Sequence, residues 1–139
     1  MLSLLYPEGY GTRSTTQLGV KVRSRAEQRI GDYFEQNDIR YKYEPTIETG
    51  LWIFTQKVSR PDFHLTEHDV YVEYWGMVNV QDERKRAQYV RSMEHKMARY
   101  HELGIKFISI HPEDMKNLDE IFRAKFRKAT GNELFIKRA

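Results

Sequence analysis

The chain contains no cysteine among its 139 residues and no long apolar run. The absence of cysteine excludes a disulfide framework and a zinc site built from thiolates. No stretch reaches the roughly 20 consecutive apolar residues that a membrane-spanning helix needs, so we expect no membrane span. The apolar start at Met1–Tyr6 is too short for the core of a signal peptide and lacks a basic leader, which favours a cytoplasmic protein.

Composition favours a single globular domain. Charged residues make up 31% of the chain and apolar residues 40%, and the length suits one hydrophobic core. The formal net charge is +3. Basic residues concentrate in three groups: Arg13, Lys21, Arg23, Arg25 and Arg29; then Arg84, Lys85, Arg86 and Arg91; then Arg123, Lys125, Arg127 and Lys128. Such groups could neutralise phosphates along a duplex, although each is also typical of a solvated surface.

Helical periodicity marks three segments of the chain. The first begins at the sequence Ser24-Arg25-Ala26-Glu27, a capping box in which serine caps the helix and glutamate follows three residues later, and it runs to about Asn37. The other two are Gln81–Leu103, closed by Gly104, and a final helix from Pro112 to about Lys128.

Runs of β-branched and aromatic residues predict the strands: Tyr41–Ile47, Leu51–Gln56, Arg60–Leu65, Asp69–Trp75 and Ile105–Ile110. Glu48-Thr49-Gly50, between the first two, predicts a hairpin turn. A strand, a long crossover helix and a further strand predict a parallel pair, with the hairpin antiparallel to it. We therefore expect an α/β domain at residues 24–139, with a mixed central sheet flanked by helices, preceded by an irregular basic arm at residues 1–23.

Two acidic residues are the main functional candidates. Asp62 follows Pro61 at the start of one predicted strand, and Glu73 lies inside the next, which is otherwise apolar and aromatic. A charged residue in such a strand is costly unless it is paired or bound to a metal. Mg²⁺ prefers carboxylate oxygens and needs only one or two of them from the protein. The alternatives are a turn role for Asp62 and a basic cross-strand partner for Glu73.

This pair of acidic residues resembles the signature of the PD-(D/E)XK nuclease superfamily, in which Pro-Asp precedes a Glu-x-Lys strand. The order of elements over residues 24–129 is similar as well, and the archaeal-type Holliday junction resolvases are the members that the chain most resembles. The resemblance implies a restriction-endonuclease-like core and a Mg²⁺ ion, replaceable by Mn²⁺, held by Asp62 and Glu73. In resolvase-like members a glutamate on the first helix completes the acidic site. That implies this role for Glu27, which could also serve only as the helix cap.

The sequence departs from the family pattern at the lysine, because Trp75 stands two residues after the glutamate. Lys96 is the candidate replacement. It lies within the apolar stripe of the long helix, so it must point at the interior or at a site; the stripe is Tyr89, Met93, Tyr100 and Leu103. Members are known in which the lysine has moved to this helix. Lys96 could instead extend its ammonium group into water, and Lys85 is a weaker candidate.

Together these features predict a Mg²⁺-dependent, structure-selective endonuclease that resolves four-way DNA junctions. Two symmetric cuts require two sites related by a two-fold axis, so we expect a homodimer. The expected DNA contacts are phosphate contacts on duplex or branched DNA, from Arg23, Arg25, Arg29, Arg84, Lys85 and Arg91. Two alternatives stay open: another nuclease of the same fold, of repair, nicking or restriction type, and a non-catalytic DNA-binding subunit in which Trp75 marks a degenerate site.

Overall fold

The computed structural model describes residues 10–45, 47–49 and 56–134. None of the described helices has both the length and the apolar character needed to cross a bilayer. The elements run in the order β1 (Tyr10–Thr15), β2 (Lys21–Ser24), α1 (Arg25–Gln36), β3 (Tyr41–Tyr43), β4 (Ile47–Thr49), β5 (Gln56–Ser59), β6 (Phe63–Leu65), β7 (Val70–Tyr74), α2 (Glu83–Glu102), β8 (Phe107–Ile110), a 3-10 helix (Pro112–Asn117) and α3 (Leu118–Thr130).

A four-stranded mixed sheet forms the centre, in the order β3-β6-β7-β8. Strand β6 is antiparallel to β3 and to β7, whereas β7 and β8 are parallel and are joined by α2. The predicted parallel pair with its helical crossover is therefore confirmed, and the chain is an α/β protein. The smaller β1-β2 and β4-β5 pairs are antiparallel ribbons.

The two faces of the sheet carry different side chains because strand residues alternate. Val70 and Val72 of β7 are fully buried in the main core. On that face α1 and α3 contribute the aromatic residues Phe34, Phe122 and Phe126. Glu73 lies on the opposite face, where Tyr100 of α2 contacts it. The alternation in β7 thus puts the hydrophobic core on one face of the sheet and Glu73 on the other face, which α2 covers.

Helix boundaries follow local capping chemistry. The Ser24 hydroxyl accepts a hydrogen bond from the Glu27 N–H at 3.1 Å, so α1 begins where the capping box predicts. Asp82 caps α2 by accepting from the Lys85 N–H at 3.0 Å. Gly104, with φ of +67°, follows the end of α2, in the left-handed conformation that glycine adopts without steric cost.

One expectation near the N-terminus of the chain is corrected. The predicted irregular arm is wrong for residues 10–23, which form the β1-β2 ribbon. The ribbon packs on α1 at Gly31, where an added Cβ would lie 2.7 Å from Thr16 Cγ2. Gly31 therefore lets the ribbon pack closely against α1. The local pattern of residues 1–23 does not reveal this tertiary contact.

The strand boundaries also need correction. Glu48 and Thr49 are not in a turn but in β4, where they pair with β5, and residues 50–55 lie outside the described part of the chain. The predicted strand Tyr41–Ile47 is divided, because β3 pairs with β6 whereas β4 pairs with β5. The predicted strand at Arg60 begins only at Phe63. The final helix opens with the 3-10 segment before α3.

Candidate active site

A cavity of about 250 Å³ lies between the start of α1, the β6-β7 pair and α2. Four predicted site residues line it together, although they come from four separate segments: Glu27, Asp62, Glu73 and Lys96. The remaining lining residues are Arg23, Ser24, Arg60, Tyr74, Trp75, Gly76, Tyr89, Ser92 and Met93. The fold therefore brings the whole predicted constellation to one place.

Asp62 is held at the wall of the cavity just before β6. Its Oδ2 accepts a hydrogen bond from the Tyr74 N–H at 2.6 Å, and its side chain is almost fully buried. Burial raises the pKa of Asp62 well above its ordinary value, and repulsion from Glu73 and Glu27 raises it further. The surroundings of Asp62 therefore disfavour its ionised form.

Glu73 occupies the centre of the cavity floor and is only 3% exposed. The Tyr100 hydroxyl donates to Oε1 at 3.0 Å, and Lys96 Nζ lies 3.4 Å from Oε2. Burial raises the pKa of Glu73, although Lys96 and Tyr100 oppose the shift. The basic partner that the sequence left open is therefore a helical lysine rather than a residue of a neighbouring strand.

Lys96 points from α2 into the cavity rather than into bulk water. Its side chain is 32% exposed, and its ammonium group lies 5.6 Å from the centre of the Trp75 ring. Trp75, which is 4% exposed, packs under the lysine and meets Tyr89 edge to face. The ring faces a cation at a distance typical of a cation–π contact. Lys96 therefore contacts Glu73 and Trp75 from α2, and its catalytic role stays a prediction.

Glu27 is already engaged by other residues. The Ser24 hydroxyl donates to Oε2 at 3.1 Å, and the Tyr43 hydroxyl donates to Oε1. Glu27 is 7% exposed, and its charge contributes to the raised pKa of Asp62. The residue therefore both belongs to the cap of α1 and adds negative charge to the cavity.

Two arginines stand at the mouth of the cavity, held by one glutamate. Glu44 Oε1 lies 2.7 Å from Arg23 Nε, and its Oε2 lies 3.9 Å from Arg60 Nη1. Arg23 also reaches within 3.6 Å of Asp62 Oδ1. Sequence analysis selected Arg23 but missed Arg60 and Glu44. Arg60 directly precedes the Pro61-Asp62 pair, and this position is the signal that could have identified it. Glu44 reaches the cavity only through the pairing of β3 with β6.

The other predicted DNA-contacting residues do not line the cavity. Arg29 donates to the Met115 carbonyl at 2.8 Å, which links α1 to the 3-10 helix. Four of these residues are exposed, whereas Lys85 is half-buried; the exposed ones are Arg25, Arg29, Arg84 and Arg91. Tyr43 and Tyr100, which sequence analysis did not select as functional, instead bind the site carboxylates.

Asp62 and Glu73 supply carboxylate oxygens, the ligand type that Mg²⁺ prefers. Within residues 10–45, 47–49 and 56–134, no group of three or more carboxylate or imidazole side chains is arranged to hold a metal ion. Asp62 and Glu73 are nevertheless buried on one cavity, and the charge of Glu73 disfavours that of Asp62. A divalent cation would relieve this repulsion, and Mg²⁺ commonly takes two carboxylates plus water and substrate phosphate.

No family model matches the chain, and neither a curated protein nor a solved structure shows significant similarity to it. The residues of the cavity and their contacts therefore carry the functional argument.

Proposed function

We propose that the chain is a Mg²⁺-dependent endonuclease of the PD-(D/E)XK type that acts on branched DNA. One observation carries the proposal: the acidic residues and the lysine expected from the sequence resemblance line a single cavity, with Lys96 against Glu73. In a nuclease of this type the lysine and the metal-binding carboxylates act on the same phosphate, so they have to lie on one cavity.

The fold is consistent with a restriction-endonuclease-like core. Its carboxylates come from the segment before β6 and from β7, two antiparallel neighbours, and β8 adds a parallel strand. Helices α1 and α3 pack on one face, whereas α2 covers the other. This arrangement places Glu73 and Lys96 on facing elements, so a lysine on the helix can replace one from the strand.

In the proposed reaction Asp62 and Glu73 would hold Mg²⁺, with Glu27 adding negative charge beside them. Bound Mg²⁺ acidifies a water molecule and offsets charge on the phosphate. Lys96 orients the attacking water or stabilises charge on the phosphoryl oxygens, a form of electrostatic preorganisation. The water oxygen bonds to phosphorus while the P–O bond to the leaving sugar oxygen breaks; the attacking water gives one proton to solvent, and the leaving oxygen takes one proton from solvent.

Resolution of four-way junctions is the specific activity that we propose, and it requires a homodimer with two sites related by a two-fold axis. The exposed Arg25, Arg84 and Arg91 would contact phosphates outside the cavity without reading sequence. Repair, nicking or restriction-type cleavage would use the same chemistry on a different DNA structure. Products from junction, flap, nicked and linear substrates separate these activities.

Trp75 favours a second candidate function, a DNA-binding subunit without catalysis. It occupies the position of the family lysine, and its buried indole Nε1 has no hydrogen-bond partner among the described residues. Such a protein would bind DNA with an affinity that falls with salt but would cut no DNA structure.

The deciding experiment is cleavage of a labelled four-way junction in Mg²⁺ by the wild type, Glu73→Ala and Lys96→Ala. The proposal predicts paired symmetric cuts by the wild type, none in EDTA, and binding without cutting by both variants. A wild type that binds DNA yet cuts none of the four structures, in Mg²⁺ or Mn²⁺, would establish the binding subunit instead.

A further inference from the structure

The backbone at Glu44 is strained where it meets the site. Glu44 has φ of +49°, a left-handed conformation that is uncommon for any residue other than glycine, asparagine or aspartate. Its N–H donates to the Asp62 carbonyl at 2.7 Å, so the strained residue is tied directly to the cavity wall. Strain of this kind persists where the surroundings impose it, and it is concentrated at functional sites.

The strained conformation directs the Glu44 carboxylate toward two guanidinium groups. One oxygen contacts Arg23 at 2.7 Å and the other faces Arg60 at 3.9 Å. The glutamate side chain is 19% exposed, whereas the arginine side chains are 63% and 52% exposed. Both guanidinium groups therefore keep N–H donors open to solvent at the mouth of the cavity.

The spare donors suit an oxyanion. The approach of Arg23 Nη2 to Asp62 Oδ1, at 3.6 Å, is longer than a hydrogen bond, so it leaves the donor available. Guanidinium groups match phosphate oxygens in a planar, bidentate geometry. Among the described residues that line the cavity, the cationic side chains are these two arginines and Lys96.

We propose that Glu44 is a positioning residue that holds Arg23 and Arg60 as a clamp for one phosphodiester group at the cavity mouth. The inference rests on the proposed nuclease function and adds to it the groups that fix the phosphate beside the carboxylates. The opposite possibility is that Glu44 simply neutralises two surface arginines and competes with phosphate for them.

The first test measures binding of a short labelled DNA duplex by fluorescence anisotropy, in Ca²⁺ and at several salt concentrations. Arg23→Gln and Arg60→Gln should each weaken binding on the order of tenfold, through loss of a charge-assisted contact. Each should also reduce the slope of log affinity against log salt by roughly 0.9, the value for one phosphate contact. Arg40→Gln is the matched control, because Arg40 pairs with Glu67 at 3.3 Å but does not line the cavity.

The second test is a double-mutant cycle that isolates the role of Glu44. If Glu44 positions the arginines, Arg60→Gln weakens binding strongly in the wild type but only slightly in a Glu44→Gln background. If Glu44 competes with phosphate, Glu44→Gln strengthens binding and the effect of Arg60→Gln persists, which would overturn the inference. Equal salt slopes for Arg23→Gln, Arg60→Gln and Arg40→Gln, with junction cleavage intact in the wild type, would reject the clamp and leave the nuclease proposal standing. A wild type that binds no DNA rejects both.

Discussion

Lys96 and Glu73 form a contact of 3.4 Å between a helix and the strand that it covers. The ammonium group of Lys96 also lies above the ring of Trp75, 5.6 Å from its centre. Lys96 of α2 thus contacts Glu73 of β7, the most buried of the cavity carboxylates.

Replacing Lys96 by methionine should abolish most cleavage while leaving DNA binding largely intact. The substitution keeps the aliphatic stem and removes the charge, so we expect a loss of roughly 10²–10³-fold in rate, as for removal of one transition-state donor. Single-turnover cleavage of the junction measures it. Lys106→Met is the control, because Lys106 is an exposed lysine that does not line the cavity. Full cleavage by Lys96→Met would show that another group supplies this function.

Asp62→Asn should stabilise the protein in EDTA. The asparagine keeps an oxygen for the Tyr74 N–H but removes a buried charge, and we expect a gain on the order of 1–2 kcal/mol, or a few degrees in Tm. Because the folded-state pKa is raised above the ordinary 3.8, the wild type loses stability as pH rises through the folded pKa. The advantage of the variant should therefore be largest near neutral pH and vanish below about pH 3.8.

The same pair of proteins reports on metal binding. Mg²⁺ should raise the Tm of the wild type and have little effect on Asp62→Asn, because the ion then loses one of its two carboxylates. Thermal unfolding followed by circular dichroism measures both effects. A Tm of Asp62→Asn below that of the wild type in EDTA would contradict the electrostatic account of this residue.

Asp114→Asn should have the opposite effect on stability. Burial favours a raised pKa for Asp114, but hydrogen bonds from Lys125 and from the His111 N–H outweigh it and lower the pKa below its ordinary 3.8. Lys125 bridges Asp114, at 2.8 Å, and the Ser109 carbonyl, at 2.6 Å, so the contact ties α3 to β8. Its stabilisation is present above about pH 3.8 and is lost as pH falls through the folded pKa.

We expect Asp114→Asn to lower Tm by a few degrees at pH 7, through the loss of about 1–2 kcal/mol, and by less at pH 3. Glu133→Gln is the control, because its pair with Arg127 is exposed on both sides and should contribute little. A destabilisation of Asp114→Asn that is the same at both pH values would assign the effect to packing.

Gly31→Ala should destabilise the fold even though alanine is the better helix former. An added Cβ would lie 2.7 Å from Thr16 Cγ2 and 3.1 Å from the Tyr41 hydroxyl, so the β1-β2 ribbon would have to move away from α1. Helix propensity alone predicts a gain of about 1 kcal/mol, whereas overpacking costs about 1–3 kcal/mol. Urea unfolding measures the change in the free energy of unfolding, and the sign of that change decides between helix propensity and overpacking.

Thr16→Ser offers a rescue of that substitution. Serine keeps the hydroxyl that accepts from the Val20 N–H but lacks the methyl group that an alanine at position 31 would strike. The double variant should therefore recover at least part of the stability that Gly31→Ala loses. If the double variant recovers no stability, the alanine clashes with Tyr41 or with the backbone instead.

Local chemistry in the sequence predicts helix ends and buried polar positions better than it predicts the strand pairing. The Ser24 cap, the Gly104 stop and the charge of Glu73 in an apolar strand are all readable from a few neighbouring residues, and the structure places each as expected. The position of Lys96 follows from helical spacing alone. These features depend on short-range rules that a single chain displays directly.

Long-range pairing accounts for the features that the sequence did not predict. The division between β3 and β4 depends on which partner each strand finds, and the β1-β2 ribbon depends on its packing against Gly31. Glu44 is distant in sequence from Arg60 and Asp62, and only the pairing of β3 with β6 brings it to the cavity. No local periodicity records such contacts, because their free energy comes from residues that are far apart along the chain.

The wall of the cavity that carries Lys96 is lightly packed. In α2, all of whose residues are described, Tyr100 alone is buried. Helices with few buried side chains open locally at a lower free energy than the core strands. Amide hydrogens along α2 should therefore exchange with deuterium sooner than those of β7, and a bound duplex should slow them. Lys96, the residue that contacts Glu73, would then lie on a helix that becomes more ordered when DNA is bound in the cavity.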